Sequence, residues 1–379
     1  MRSFLLASLL ISIGLSVGCG GGGTGDGGGG GNSVTPPAMF TADAQNGAVI
    51  ISMSPATQGS TIYYTLDGST PTSASPLYLA PFLVASNLTV KAIARLGGTS
   101  SNVTSASFSP NIPSGTLVWS DEFSNSTGAN AQPDPAVWTY DTGTNCCGNN
   151  ELEDYCAWNS SVSPCDPANP NTYVGTDGYL HIWARQPSSG IYTSARLKSQ
   201  RLFSFMYARI EASMKLPEAQ GMWPAFWMLG NNIETINWPA CGELDLMEHI
   251  DGNDPPPYYG GTPPGYDWIA GSIHGGTSGN EIGGSQTYHP SGFSAADWHT
   301  YGMIWSSGQI EYFVDNPSNV YATFTPTNSS FNSSTWPFDQ GPQFIILNLA
   351  IGGDWPGPPD NTTVFPQEML VDYVRIYAN

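Results

Sequence analysis

Basic residues are scarce in this chain: its 379 residues include 10 Lys+Arg against 30 Asp+Glu, a formal net charge of -20. Such a balance repels phosphates, which argues against nucleic acid and anionic membrane surfaces as partners and favours a neutral substrate. Charge of either sign is also sparse, at 11% of residues against roughly 25% in ordinary soluble domains, so Ser, Thr, Asn and Gly must make most of the surface. No stretch sustains a 3.6-residue apolar period, which excludes long amphipathic helices. The Gly20–Gly31 run has no strand before it and no Lys-Ser/Thr after it, so it is not a phosphate-cradling loop. What the chain does have is 12% aromatic and 40% apolar residues, enough to bury a large core divided into two or three units.

Arg2, the apolar stretch Phe4–Val17 and the small residues before Cys19 read as an export signal over 1–18. Ser16-Val17-Gly18-Cys19 resembles a bacterial lipobox with its usual Leu one place early, at Leu15. The expectation is an exported protein, either a lipoprotein of the outer membrane or cell surface held through Cys19, or a secreted one cleaved after Gly18. Residues 19–35 are then a flexible Gly-rich tether. Five further cysteines remain, of which Cys146, Cys147, Cys156 and Cys165 cluster in a segment rich in Asn and Pro. In an oxidising compartment they predict one or two disulfides of unassigned pairing, and their spacing does not suit zinc. Cys241 reads as a small buried thiol.

Between 36 and 110 short β runs alternate with turn chemistry: Ser60–Leu66, then Asp67-Gly68-Ser69-Thr70-Pro71, then Leu88–Ala94. IYYTLDGSTPT followed by LTVKAIA resembles the immunoglobulin-like domain at the C-terminus of chitobiases, which implies a small β-sandwich. All 12 Trp lie at or after Trp119, so this unit has no Trp platform for sugar, and Tyr63, Tyr64 and Tyr78 read as packing residues of a spacer. Ile112–Gly115 reads as a linker. From 115 to 379 strand candidates recur, at 179–184, 206–216, 222–229, 243–249, 269–274, 300–305, 310–314, 344–350 and 369–377. Many strands with Gly- and Pro-rich connections predict an all-β, two-sheet jelly-roll sandwich.

Within it, GELDLMEH (Gly242–His249) holds three acids in an apolar run. Side chains of a strand alternate faces, so Glu243 and Asp245 point one way and Glu248 the other. Glycoside hydrolysis needs two carboxyl groups flanking one anomeric carbon, one ionised and one protonated. A β-bulge at Leu246 or Met247 would turn Glu248 onto the face of the other two. Three like charges on one face then keep at least one proton at neutral pH, as a general acid requires.

The surrounding motifs carry a resemblance. Gly221–Gly230 (GMWPAFWMLG), Trp238-Pro239-Ala240-Cys241 and Glu243–Glu248 resemble glycoside hydrolase family 16, in its bulged-strand branch of bacterial laminarinases and β-1,3(4)-glucanases. Asp121-Glu122-Phe123, Gly148–Leu152 (GNNEL), Tyr192–Arg196, Ile273-His274-Gly275, Trp298–Tyr301, Leu347–Pro356 and Val371–Tyr377 extend it over the whole 115–379 unit. The resemblance implies Glu243 as nucleophile, Glu248 as general acid/base and Asp245 as their partner. It further implies Trp223, Trp227, Asn150, Arg196, His274 and Trp355 as substrate-binding residues, and leaves Trp119, Trp138 and Trp305 to packing and His249 to structure. No organic cofactor is implied. A structural calcium ion is, with Glu122, Gly178 and Asp372 as its ligands, oxygen donors of the kind calcium takes.

These readings together describe an exported, monomeric, retaining endo-β-glucanase acting on β-1,3-glucan or mixed-linkage β-1,3-1,4-glucan. Agarase or carrageenase activity, glucan transglycosylation and non-catalytic β-glucan binding are the rival readings.

Overall fold

The computed structural model describes residues 33–144, 148–251, 267–327, 329–332 and 335–379. The export signal, Cys19, the tether up to Asn32, and Cys146 and Cys147 lie outside the described residues. Among the described residues the α-helical content is one turn, Ile233–Ile236, and no helix is long and apolar enough to cross a membrane.

The small unit packs a three-stranded sheet (Ala38–Asp43, Val49–Ser54, Phe82–Val84) on a four-stranded one (Thr61–Thr65, Leu88–Leu96, Thr99–Ser100, Thr104–Phe108). Alternation puts Ile62, Tyr64, Val90 and Ala92 into the core between them. The Tyr64 ring stacks on Phe82 at 5.4 Å with Tyr78 edge-on at 6.3 Å, so these tyrosines are packing residues. The expected linker is anchored: Gly115 N donates to Ala378 O at 2.8 Å, and Ile112 packs on the core of the large unit. The small unit itself docks, with Ala48 and Leu83 joining that same core.

In the large unit eleven strands form one sheet and seven the other. The seven-stranded sheet runs, edge to edge, Asn280–Tyr288, Ile269–Thr277, Glu243–Glu248, Met222–Gly230, Gln343–Ile351, Arg196–Lys198, Thr139–Asp141. Inward side chains of the two sheets build the main core, including Trp119, Trp138 and Trp305. The two strands that matter most for function both begin after a glycine with positive φ, Gly221 (+81°) and Gly242 (+80°). At Gly221 a Cβ would lie 2.5 Å from the Pro359 nitrogen, and at Gly242 3.0 Å from the Pro337 ring, so both conformation and space demand glycine. Cys156 and Cys165 form a disulfide, and Cys241 is a buried free thiol.

Candidate active site

The strand Glu243–Glu248 is bulged. Against Met222–Gly230, Asp245 pairs with Trp227 and Met247 with Phe226, so Leu246 has no opposite residue. On its other side Asp245 pairs with Ser272 and Glu248 with Ala270, three steps against two. The extra residue sends Leu246 and Met247 consecutively into the main core beside Leu244. Glu243, Asp245 and Glu248 therefore share the opposite face, where all three line one cavity of about 760 Å³.

Each acid has its own partner. Trp238 Nε1 donates to Glu243 Oε2 at 2.8 Å, and Trp223 Nε1 donates to Glu248 Oε1 at 3.0 Å. His274 Nε2 faces Asp245 Oδ2 at 3.3 Å while its Nδ1 meets Glu281 Oε1 at 2.6 Å. Burial, with the charge of Asp245 added, pushes Glu243 and Glu248 each up to about 8. Asp245 is also raised by burial, against the pull of its bond to His274. For His274 burial opposes the cation, but hydrogen bonds to Asp245 and Glu281 and the field of the acids prevail and push it up to about 12. An imidazolium thus sits against Asp245, and the glutamates retain a proton through neutral pH.

Removing that cation has a definite sign. In a His274→Asn variant the imidazolium no longer holds the acids down and Arg196 is the cation left pulling on Glu243, so the group that must ionise does so at higher pH. The acidic limb of kcat/KM should move up by about one pH unit. A limb that stays in place or moves down would contradict the assignment of charge.

The remaining predicted residues are placed as follows. Trp223 and Trp227 both line the cavity, as their spacing of four requires of a shared face. Trp355 braces Trp223 edge-on at 5.5 Å. Arg196 lies over the Trp227 ring at 4.5 Å and pairs with Asp141 at 3.0 Å, so one face of Trp227 is taken by the protein itself. His249 is buried, hydrogen-bonded to Trp268 O at 2.8 Å and pushed down to about 4 by burial, a structural histidine. Burial, with Glu243 nearby, pushes the Cys241 thiol up to about 12, which keeps it inert.

Asn150 requires a correction, because Asn149 and not Asn150 lines the cavity. Both residues have φ of 56°, and two left-handed residues in succession break simple alternation. The Asn150 amide instead donates to both carboxylate oxygens of Asp354, at 2.9 and 3.0 Å, and so fixes a cavity residue from behind. The calcium set is also corrected at Glu122. Both of its oxygens accept from Arg375, at 2.9 and 2.7 Å, and a guanidinium fork occupies the side of the carboxylate that a cation would need. As placed, Glu122 is held by Arg375 and does not fit as a calcium ligand.

Sequence reading missed Trp238 as a donor to Glu243, although its place in the Trp-Pro-Ala-Cys motif pointed to it. It also missed a polar chain under Trp227. Trp227 Nε1 donates to Asn348 Oδ1 (2.7 Å), Asn348 Nδ2 to the Tyr155 hydroxyl (3.1 Å), and that hydroxyl to Glu151 Oε2 (2.9 Å). Asn348 and Glu151 lie in motifs that carry the family resemblance, but only the fold brings them together.

A model of glycosyl hydrolases family 16 matches residues 165–375, more than half of the chain. The chain belongs to this family. A model of the chitobiase/beta-hexosaminidase C-terminal domain matches residues 41–105. The beta-glucanase of Rhodothermus marinus, also in the chain's range of similarity, is 36% identical over 280 residues, 71% of this chain and 87% of that protein. The clotting factor G alpha subunit of Tachypleus tridentatus is 34% identical over 273 residues, 70% of this chain but 34% of that longer protein. Among solved structures, the laminarinase catalytic domain of Thermotoga maritima is 35% identical with a TM-score of 0.55, covering 70% of this chain and 98% of that one. The family 16 assignment makes the chain a glycoside hydrolase with a jelly-roll large unit and a polysaccharide substrate.

Proposed function

We propose that this family 16 member is an exported endo-β-glucanase that hydrolyses internal bonds of β-1,3-glucan or mixed-linkage β-1,3-1,4-glucan with retention of configuration. The observation that carries the mechanism is the bulge, which brings Glu243 and Glu248 into one cavity with a separate tryptophan N–H on each. Glu243, ionised, attacks the anomeric carbon while Glu248 gives its proton to the departing glycosidic oxygen. The product is a glycosyl ester on Glu243 and a free sugar hydroxyl. Glu248, now a carboxylate, takes a proton from water, the resulting hydroxyl adds to the anomeric carbon, and Glu243 is released. Asp245 with His274 sets which carboxyl holds the proton, and the half-buried rings of Trp223 and Trp227 support the apolar faces of glucose units.

The cavity supports a neutral substrate. Asp141, Glu151, Glu243, Asp245, Glu248, Glu281 and Asp354 line it, against Arg196, Lys198 and His274, and this excess of acids opposes a sulfated galactan. Incubation with laminarin, lichenan and agarose, with the products sized, tests the substrate: oligosaccharides should appear from one or both glucans, and their absence from both rejects the reading. Proton NMR of the first product should show the β anomer before mutarotation. An initially inverted anomer would remove Glu243 from the nucleophile's role.

A further inference from the structure

Ser204 is fully buried and sits between the small unit and the site. Towards the small unit, Leu83 N donates to Ser204 O at 2.9 Å and Ser204 Oγ donates to Pro81 O at 2.9 Å. Towards the site, Asn231 Nδ2 donates to the same Oγ at 2.8 Å. The hydroxyl thereby uses a donor and an acceptor position, one on each side, and is fixed in direction. Its neighbours reinforce the link: Gln200 and Arg201 hold Glu234, at 3.2 Å and 3.0 Å, and Asn231 N donates to Pro342 O at 3.0 Å.

Asn231 begins the loop that ends at Gly242 and carries Trp238. That loop is tied within itself, through Asn237 N to Ile233 O, Cys241 N to Asn237 O and Gly242 N to Pro239 O. It therefore responds to its anchors largely as one body. Trp238 is 43% exposed, so its own packing fixes it little, yet its N–H must meet Glu243 at 2.8 Å. Small errors in such a placement are costly for catalysis.

We propose that the small domain is a positioning element for the reaction, holding through Ser204 and Asn231 the loop that delivers the Trp238 N–H to Glu243. It is thus a brace rather than a spacer. This inference rests on Glu243 being the nucleophile.

The test uses the full chain carrying Ser204→Ala, and separately Asn231→Ala, each beside Trp238→Phe and the double variants. With the brace cut, kcat on laminarin should fall about three- to tenfold while KM changes less than about twofold. Because the Trp238 hydrogen bond holds the Glu243 pKa down, its loosening should move the acidic limb of the pH profile upward. Amide exchange across residues 231–242 should quicken. In the Trp238→Phe background the Ser204→Ala penalty should vanish, since both changes remove one interaction. Penalties that multiply, or an acidic limb and exchange rates that do not move, overturn the brace. If Ser204→Ala does not fold, Leu83→Ala, which thins the small unit's contact with the core of the large one, decides by the same readouts. A wild-type chain that cuts no glucan rejects the glucanase reading, while the exchange measurement still decides the brace.

Discussion

Glu243→Gln leaves a folded protein that still binds laminarin oligosaccharides and turns them over on the order of 10⁴-fold more slowly, or worse. The amide fits the same space and its oxygen can still accept from Trp238 Nε1, so cavity and binding survive. What is lost is the electron pair that attacks the anomeric carbon. The same variant should alter stability in a direction fixed by the raised pKa. A carboxyl that titrates near 4.5 when unfolded and at about 8 when folded favours the fold below the lower value. That advantage is lost as pH rises through the upper one. Glutamine has no charge to bury, so the variant should melt above wild type at pH 9, and its relative advantage should shrink towards pH 5. Calorimetry at the two pH values, beside isothermal titration with laminarihexaose, checks both halves. Retained turnover would end the nucleophile assignment, and an unchanged difference in melting temperature would end the account of its pKa.

Glu248→Gln should slow glucan hydrolysis by about 10²- to 10⁴-fold, the usual worth of general acid/base catalysis. The loss should be far smaller in the first step for an aryl β-glucoside of laminaribiose with a nitrophenolate leaving group, which departs without a proton. The second step then stalls because no base remains to activate water. Azide needs no deprotonation and should restore turnover, giving the β-glycosyl azide, whereas it should not rescue Glu243→Gln in that form. Equal losses on both substrates, with no azide product, would mean that Glu248 is not the acid/base. Trp223 Nε1, 3.0 Å from Glu248 Oε1, can bond the amide oxygen in the variant, so a collapsed site is not the expected cause of the loss.

The site was legible in the sequence where chemistry conflicted with periodicity. An acid five residues after Glu243 is out of step in a strand, and the apolar Leu246 and Met247 between them mark where the extra residue must go. Strand positions were legible for the same reason, down to ends shifted by a few residues: the predicted 206–216 strand is observed as Arg209–Lys215, after Tyr207 at a φ of 57°. Partnerships between distant segments were not legible. Nothing local says that Asn348 joins Trp227 to Tyr155, or that Arg196 covers one face of Trp227, because strand order creates these contacts. Asn149 was passed over for Asn150 because the resemblance matches a motif and does not show which of two neighbouring left-handed residues turns into the cavity. The docking of the small unit was not legible, because Pro-Ser-Gly composition marks a connection and is silent about Leu83, which is buried in the core of the large unit.

The bulge also bears on which changes of length such a strand could tolerate. At its present length a regular strand would turn Glu248 towards the core while Glu243 and Asp245 kept their places. Deleting Leu246 would leave Glu-Leu-Asp-Met-Glu, in which plain alternation puts all three acids on one face with no bulge. An intact set of carboxylates therefore shares one face only when the number of residues between them matches the shape of the strand.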